Sequence, residues 1–421
     1  MQPSATTARG NWVNNSGAYQ TLLVALLSLN FGIVFFDRQA HNVLMPQIQP
    51  DLMLTQTQIG LIAAGLSFSW AVAAFFVGKL SDTLGKRKAL LIAATIAFSL
   101  TSFLTGLATS FLMLFGARLL MGVAEGGVMP ISHAMVASEV DPAKRGLAQG
   151  VAQNLGSNIL GSFAAPAILV PLALAFGWQS AFYIAGIPGI LSALLMWFFL
   201  KEPAKLPPPD ADHAKMSMVD AMKIRNIWVV VVVGILMVAH FVITWAFMPL
   251  YLVQVKGFDE LTGGWIMSSL GIAAALYAFA ISSLSDRIGR KPVMVWLPFL
   301  SVVGPLAALY FNGPWIALVA FFFVGWAVNG IFPIFMATIP SETVDPHHHA
   351  TVLGLAMGAC EILGGVFGPP IAGMLNDAFG PSTFLWVLMV LAVVSGVVAL
   401  GLRETAPMAL ARRGSLSVIS P

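Results

Sequence analysis

Charge is what this sequence has least of. Of its 421 residues only 9 % are Asp, Glu, Lys or Arg, while 58 % are hydrophobic. A soluble domain is about one quarter charged, so the scarcity excludes a water-soluble globular chain. The apolar residues fall in runs of the length that crosses a bilayer as a helix, about 20 residues. The alternation of a membrane β-barrel is absent, and the runs are far too long for barrel strands. Cysteine is almost missing: Cys360 stands alone, which excludes an internal disulfide and leaves no metal-ligand spacing. No phosphate-binding glycine loop, nucleophile motif or metal constellation occurs. These absences argue against an ATP-driven pump and against an enzyme, and no cofactor or metal is expected. The net charge of +3 gives no ground for a nucleic-acid partner.

Twelve apolar stretches are present, at 20–44, 57–80, 88–108, 111–133, 147–170, 178–200, 227–252, 261–284, 292–311, 314–339, 350–375 and 381–402. The expected fold is an all-α membrane protein with twelve transmembrane helices. The basic residues are unevenly placed. Of 21 Lys and Arg, Arg38 and Arg118 lie inside spans, and only Lys256 falls in a loop that an even count of crossings puts outside. The other eighteen lie in the N-terminus, the even-to-odd loops or the C-terminus. The positive-inside rule then places both ends in the cytoplasm of a multi-pass, bacterial-type inner-membrane protein. The first 19 residues are polar, with Arg9 the only charge, and the first span is expected to act as an uncleaved anchor.

The chain repeats itself. Leu80-Ser81-Asp82-Thr83-Leu84-Gly85-Lys86-Arg87 follows the second stretch, and Leu284-Ser285-Asp286-Arg287-Ile288-Gly289-Arg290-Lys291 follows the eighth, 204 residues later. A duplicated six-span unit is the mark of secondary transporters, with the site near the midplane between the repeats. The domains are therefore a cytoplasmic tail (1–19), an N-terminal six-helix bundle (20–200), a Pro-rich charged linker (201–226) with a short surface helix near 216–223, a pseudo-symmetric C-terminal six-helix bundle (227–402) and a cytoplasmic tail (403–421). The basic loop residues suit the anionic inner leaflet. Asp82, Arg87, Asp286 and Arg290, with Arg145 before the fifth stretch, are expected to latch the cytoplasmic side.

The repeated loop resembles the signature of the major facilitator superfamily. Asp141-Pro142-Ala143-Lys144-Arg145-Gly146 and Gly177-Trp178-Gln179-Ser180-Ala181-Phe182 are similar to further pieces of that family. Phe36-Asp37-Arg38 in the first stretch, and Arg118 through Glu125-Gly126 in the fourth, resemble the anion:cation symporter family of sugar-acid and organic-anion carriers. Spinster-like lipid carriers share a similar arrangement. The resemblance implies alternating access and a small anionic substrate. Sugar-acid carriers often place a tyrosine where this chain has Trp70, a departure that favours a flatter, more apolar carboxylate.

The buried charges carry the functional reading. Asp37, Arg38, Arg118, Glu125 and Glu361 lie within spans, where a charge costs about 2.5–3.5 kcal/mol on insertion scales. Arg118 and Glu125 are seven residues apart, close to two turns, so they share a face. The planar fork of Arg118 fits a carboxylate; the alternative is a structural ion pair with Asp37 or Glu125. Arg38 is divided between substrate contact and pairing. Glu125 is the expected proton carrier, Asp37 a second one, and Glu361 a cavity acid or a protonated packing group. Asn154, Asn158, His240, Trp245 and Asn329 are candidates to complete the site, against the plainer reading that they pack or bond to neighbouring helices. His347-His348-His349 reads as a solvated loop. The expected function is proton-coupled symport of an organic anion by a monomer in the lipid bilayer. The rivals are a lysolipid or amphiphile transporter and a non-transporting membrane sensor.

Overall fold

The computed structural model describes residues 15–141, 144–203, 216–345 and 348–411. The described residues are helical throughout, with no strand. Eleven segments are long and apolar enough to cross a membrane. They are α1 (Gly17–Val43), α2 (Gln56–Ser81), α3 (Arg87–Gly106), α4 (Phe111–Glu139), α5 (Arg145–Phe176), α6 (Trp178–Phe199), α7 (Arg225–Gln254), α8 (Glu260–Ile288), α9 (Arg290–Tyr310), α10 (Trp315–Thr343) and α11 (Thr351–Phe379). The twelfth apolar stretch forms a shorter helix, α12 (Thr383–Ala399), of 17 residues. The linker's short helix is Met218–Lys223, capped by Ser217.

Local signals set the helix starts. Ser16, Thr55, Ser110 and Asp259 each accept a bond from the amide three residues on, which satisfies an otherwise orphan donor. Thr55 and Gln58 complete a capping box. The Thr262 hydroxyl and amide hold the Asp259 carboxyl below the usual carboxylate range. A lipid-embedded helix gains little from the hydrophobic effect against its neighbours, so close packing and polar ties hold the assembly together.

The two ends of the molecule differ in what they tie together. One end carries the basic loops, and is called the basic end below. Among the described residues the following polar ties there fall within one half of the chain. Asn15 donates to Glu139 (2.6 Å), Lys201 N to the Tyr19 hydroxyl (2.9 Å) and Lys88 N to Glu202 (2.9 Å). In the second half, Arg290 N and Lys291 N donate to Glu404, and Arg225 to the Gly401 carbonyl. At the far end the ties cross between halves. Asp377 of α11 accepts from Gln56 N (2.9 Å), Thr57 N (2.8 Å) and the Thr57 hydroxyl (2.5 Å) at the start of α2. Gln254 donates to Gln49 (2.9 Å), and Gln47 to Glu260.

Packing follows the same division. A methyl group on Gly60 of α2 would sit 2.6 Å from the Pro369 carbonyl carbon of α11, and one on Gly373 of α11 would sit 2.8 Å from that of Gln56. Gly271 of α8 meets Phe163 of α5 as closely, and Gly264 meets Val170. In all four helices these residues lie in the far-end half. The halves meet like a pincer closed at the far end.

Regular α-helix gives way at a few places. Alpha5 carries π turns at Val151–Leu155 and Ser157–Ala164. Alpha10 carries a 3-10 turn at Trp326–Ile331 and a π turn at Ile334–Thr338. Alpha11 carries a π turn at Cys360–Val366. Irregular backbone at membrane depth is tolerated where it is buried in protein or lines an aqueous cavity, and π turns mark functional sites.

The far-end closure is testable. Asp377→Ala removes the acceptor of three donors. A cysteine introduced at Gln56 should then react about fivefold faster with an impermeant maleimide, the shift that ~1 kcal/mol of lost closure gives. Cys360 is fully buried and will not contribute. An unchanged labelling rate means Asp377 does not hold the far end shut.

Candidate functional site

Four of the irregular segments carry sequence-predicted site residues: Asn154 and Asn158 on α5, Asn329 on α10, and Glu361 on α11. The other buried charges stand on α1 and α4.

Those charges form two adjoining groups. In the first, Arg118 Nη1 lies 3.7 Å from Asp37, and both side chains are 0 % exposed. That is an ion pair without a hydrogen bond. The same nitrogen approaches Met121 Sδ at 2.8 Å, and the Phe182 ring lies 5.2 Å from the guanidinium carbon. Nε and Nη2 of Arg118 have no partner, nor do the Asp37 carboxylate oxygens. The nearby Ser102 hydroxyl donates to the Phe182 carbonyl instead. His41, one turn beyond Asp37, is buried with Nδ1 unpartnered and lies within the field of Arg118. Both oxygens of Glu125 are buried without a donor.

The second group is open to the space between the halves. Arg38 Nη2 lies 3.5 Å from Glu361 Oε1, and the two side chains are 19 % and 17 % exposed. Phe35 and Trp70 flank the Arg38 guanidinium at 5.5 and 5.9 Å. The sequence offered Glu361 no cation within its own half; the partner comes from the other half. Arg38, Asp37 and Arg118 all act on the buried Glu125.

The remaining candidates divide. Trp245 and Trp326 meet edge-to-face at 6.3 Å, and Phe241 lies 5.8 Å from Trp326. Asn329 Nδ2 donates to the Trp326 carbonyl at 3.5 Å. His240 borders a cavity of about 20 Å³ beside Trp326 and Thr244, room for about one water. Asn154 and Asn158 are half-buried on α5. His349 bonds the Val344 carbonyl within its loop (3.2 Å), and His347 lies outside the described residues.

The expected latch residues sit inside their own halves. Arg290 pairs with Asp286 (2.6 Å) and Glu342 (2.9 Å), and donates to Ser285. Arg87 reaches the Ala134 carbonyl and Arg145 the Val140 carbonyl. The Asp82 side chain lies outside the described residues. Sequence reasoning missed Glu342, Phe35, Phe182 and His41. It also missed His133, which has Gln149 and Gln153 as side-chain partners. Spacing could have found one of these: His41 is four residues after Asp37, one turn on along the same face.

The profile of the Major Facilitator Superfamily matches residues 27–276 and 230–417. The chain belongs to that superfamily. It is 29 % identical over 384 residues to the hexuronate transporter of Bacillus subtilis, covering 85 % of this chain and 88 % of the relative. It is 29 % identical over 394 residues to the 3-(3-hydroxy-phenyl)propionate transporter of Escherichia coli, covering 89 % and 93 %. Its fold is similar to that of a bacterial homologue of the human lysosomal transporter Spinster, solved in an inward-facing and unoccupied conformation, with TM-score 0.72, 18 % identity, and 96 % and 99 % of the two chains covered.

The two charge groups differ in enclosure, and their mutants should differ in stability. Asp37→Asn leaves a buried guanidinium without its counter-ion and should cost about 3–5 kcal/mol in thermal or denaturant unfolding. Glu361→Gln, at the partly open pair, should cost about 1 kcal/mol or less. Equal losses would show that the difference in enclosure does not matter.

Proposed function

We propose that the chain is a proton-coupled symporter that carries an organic carboxylate across the bacterial-type inner membrane by alternating access of two six-helix bundles. The observation that carries this reading is the Arg38–Glu361 pair, which joins the two halves at membrane depth and remains partly open. Relatives named for hexuronate and hydroxyphenylpropionate transport support an organic acid as cargo. The loop basic residues support a cytoplasmic basic end, and on that reading the far-end closure corresponds to an inward-facing state.

The chemistry follows from charge. The site holds two guanidinium groups and three carboxylic groups. A substrate carboxylate arriving at Arg38 displaces Glu361 and weakens the counter-charge acting on Glu125. An ionised carboxylate there is a buried charge without a donor, which a proton removes at least cost. Each substrate carboxylate therefore brings a proton with it. Displacing Glu361 also breaks the ion pair between the halves, which couples binding to rocking. Arg118, enclosed by Asp37, Met121 and Phe182, acts as the fixed counter-ion that keeps Asp37 and Glu125 within one field. It meets substrate only in another state. The latch residues Asp286 and Arg290 brace the second half as a rigid unit.

Arg38→Ala should weaken carboxylate binding about thirtyfold or more in the purified protein, the loss expected when one partner of a buried charge pair is truncated. Unchanged affinity would remove Arg38 from the site. Glu125→Gln should retain substrate exchange in proteoliposomes but lose uphill uptake, whereas wild-type uptake should rise as the outer solution is made more acidic. Full accumulation by Glu125→Gln would remove that residue from coupling.

A further inference from the structure

We propose that the second half of the chain supplies an aromatic subsite on Phe241, Trp245, Trp326 and Phe332, which makes the cargo a planar aromatic carboxylate. This rests on the preceding reading, in which Arg38 holds the carboxylate, and adds what holds the rest of the molecule.

Four rings converge on one point. Phe241 of α7 lies 5.8 Å from Trp326 at an interplanar angle of 30°, 6.3 Å from Trp245 and 5.7 Å from Phe332. The Trp326 ring stands on the 3-10 turn of α10. The two tryptophans are nearly enclosed, whereas Phe241 and Phe332 keep part of their surface open. Alpha7 packs on α1 and α2 of the first half as well as on α8, α10, α11 and α12. Phe241 thus keeps an open ring on a helix that packs against both halves, as α1, which carries Arg38, also does.

Internal symmetry places this wall opposite the arginine. A methyl group on Gly156 of α5 would collide with the Ser28 carbonyl and lie 3.1 Å from Gly32 N on α1. A methyl group on Gly364 of α11 would collide with the Ile235 carbonyl and lie 3.0 Å from Ala239 N on α7. The two crossings are the same contact made twice, with α7 offset from α1 by 207 residues. The α7 position equivalent to Arg38 is therefore Trp245. One half presents a cation flanked by Phe35 and Trp70; the related place in the other presents an indole.

The chemistry of the wall selects its ligand. Aromatic rings prefer tilted or offset ring partners, and a ring anchored at one end by a guanidinium presents its plane to the quartet. Nε1 of Trp245 and of Trp326 are buried with no protein acceptor; an indole N–H is a donor only, so an oxygen substituent on the ring would satisfy it. A sugar acid carries a hydroxyl on nearly every carbon, each needing a partner once buried. These four side chains offer two donors and no oxygen.

The test compares three probes on the purified full-length protein: benzoate, its saturated counterpart cyclohexanecarboxylate, and glucuronate. Benzoate should bind about tenfold tighter than cyclohexanecarboxylate, the margin expected of ring-on-ring contact, and glucuronate should bind weakest. Phe241→Leu should erase the preference for benzoate while leaving cyclohexanecarboxylate affinity within about twofold. Equal binding of benzoate and cyclohexanecarboxylate, or tighter binding of glucuronate, with either abolished by Arg38→Ala, overturns the aromatic subsite and leaves the carboxylate reading standing. No binding of any probe, or binding indifferent to Arg38→Ala, overturns both.

Discussion

The Arg38–Glu361 contact is the interaction on which the rest depends. It joins the two halves, and both side chains remain partly exposed. In the proposed mechanism a carboxylate that takes Glu361's place at Arg38 leaves Glu125 short of counter-charge, and a charge at membrane depth cannot be left alone. A proton on Glu125 is the smallest answer. Binding, neutralisation and release of the inter-half contact are then one event, with no separate device to link them.

The surrounding structure makes that event consequential. At the far end, Asp377 caps the start of α2 and glycines let α2 lie against α11. At the basic end, Glu202 caps α3 in the first half and Glu404 caps α9 in the second. Each half is thus braced internally where the pincer is parted and joined to the other where it is shut. Departures from regular α-helix fall on α5, α10 and α11, and the one on α11 includes Glu361 of the charge cluster. That is where backbone groups freed from the helix ladder can be satisfied by a cavity.

Much of the fold was legible because it is encoded locally. Runs of apolar residues, the repeated loop after the second and eighth stretches, and the uneven placement of Lys and Arg each depend on neighbours in sequence. The buried charges were legible as well, since an ion inside an apolar run needs no context to stand out. The Arg118–Asp37 pair was offered as an alternative; the pairing across the halves was not legible. Arg38 and Glu361 are on helices from opposite halves, and no spacing rule connects them. The sequence made Arg118 the first choice for an anion receptor; in the structure Arg118 is sealed by Met121 and Phe182, while the neighbour of Asp37 faces the opening. The aromatic wall was half legible. Trp245 is a site candidate from the sequence alone, but Phe241 and Phe332 are two of 29 phenylalanines, and only their convergence distinguishes them.

The central claim is that a carboxylate cannot occupy this site without a proton. The direct measurement is proton movement during anion influx into proteoliposomes with a pH dye outside and no imposed gradient. The account predicts that adding a transported carboxylate alkalinises the outer solution in step with anion uptake, and that Arg38→Ala removes both signals together. Anion uptake at full rate with no proton movement would contradict it.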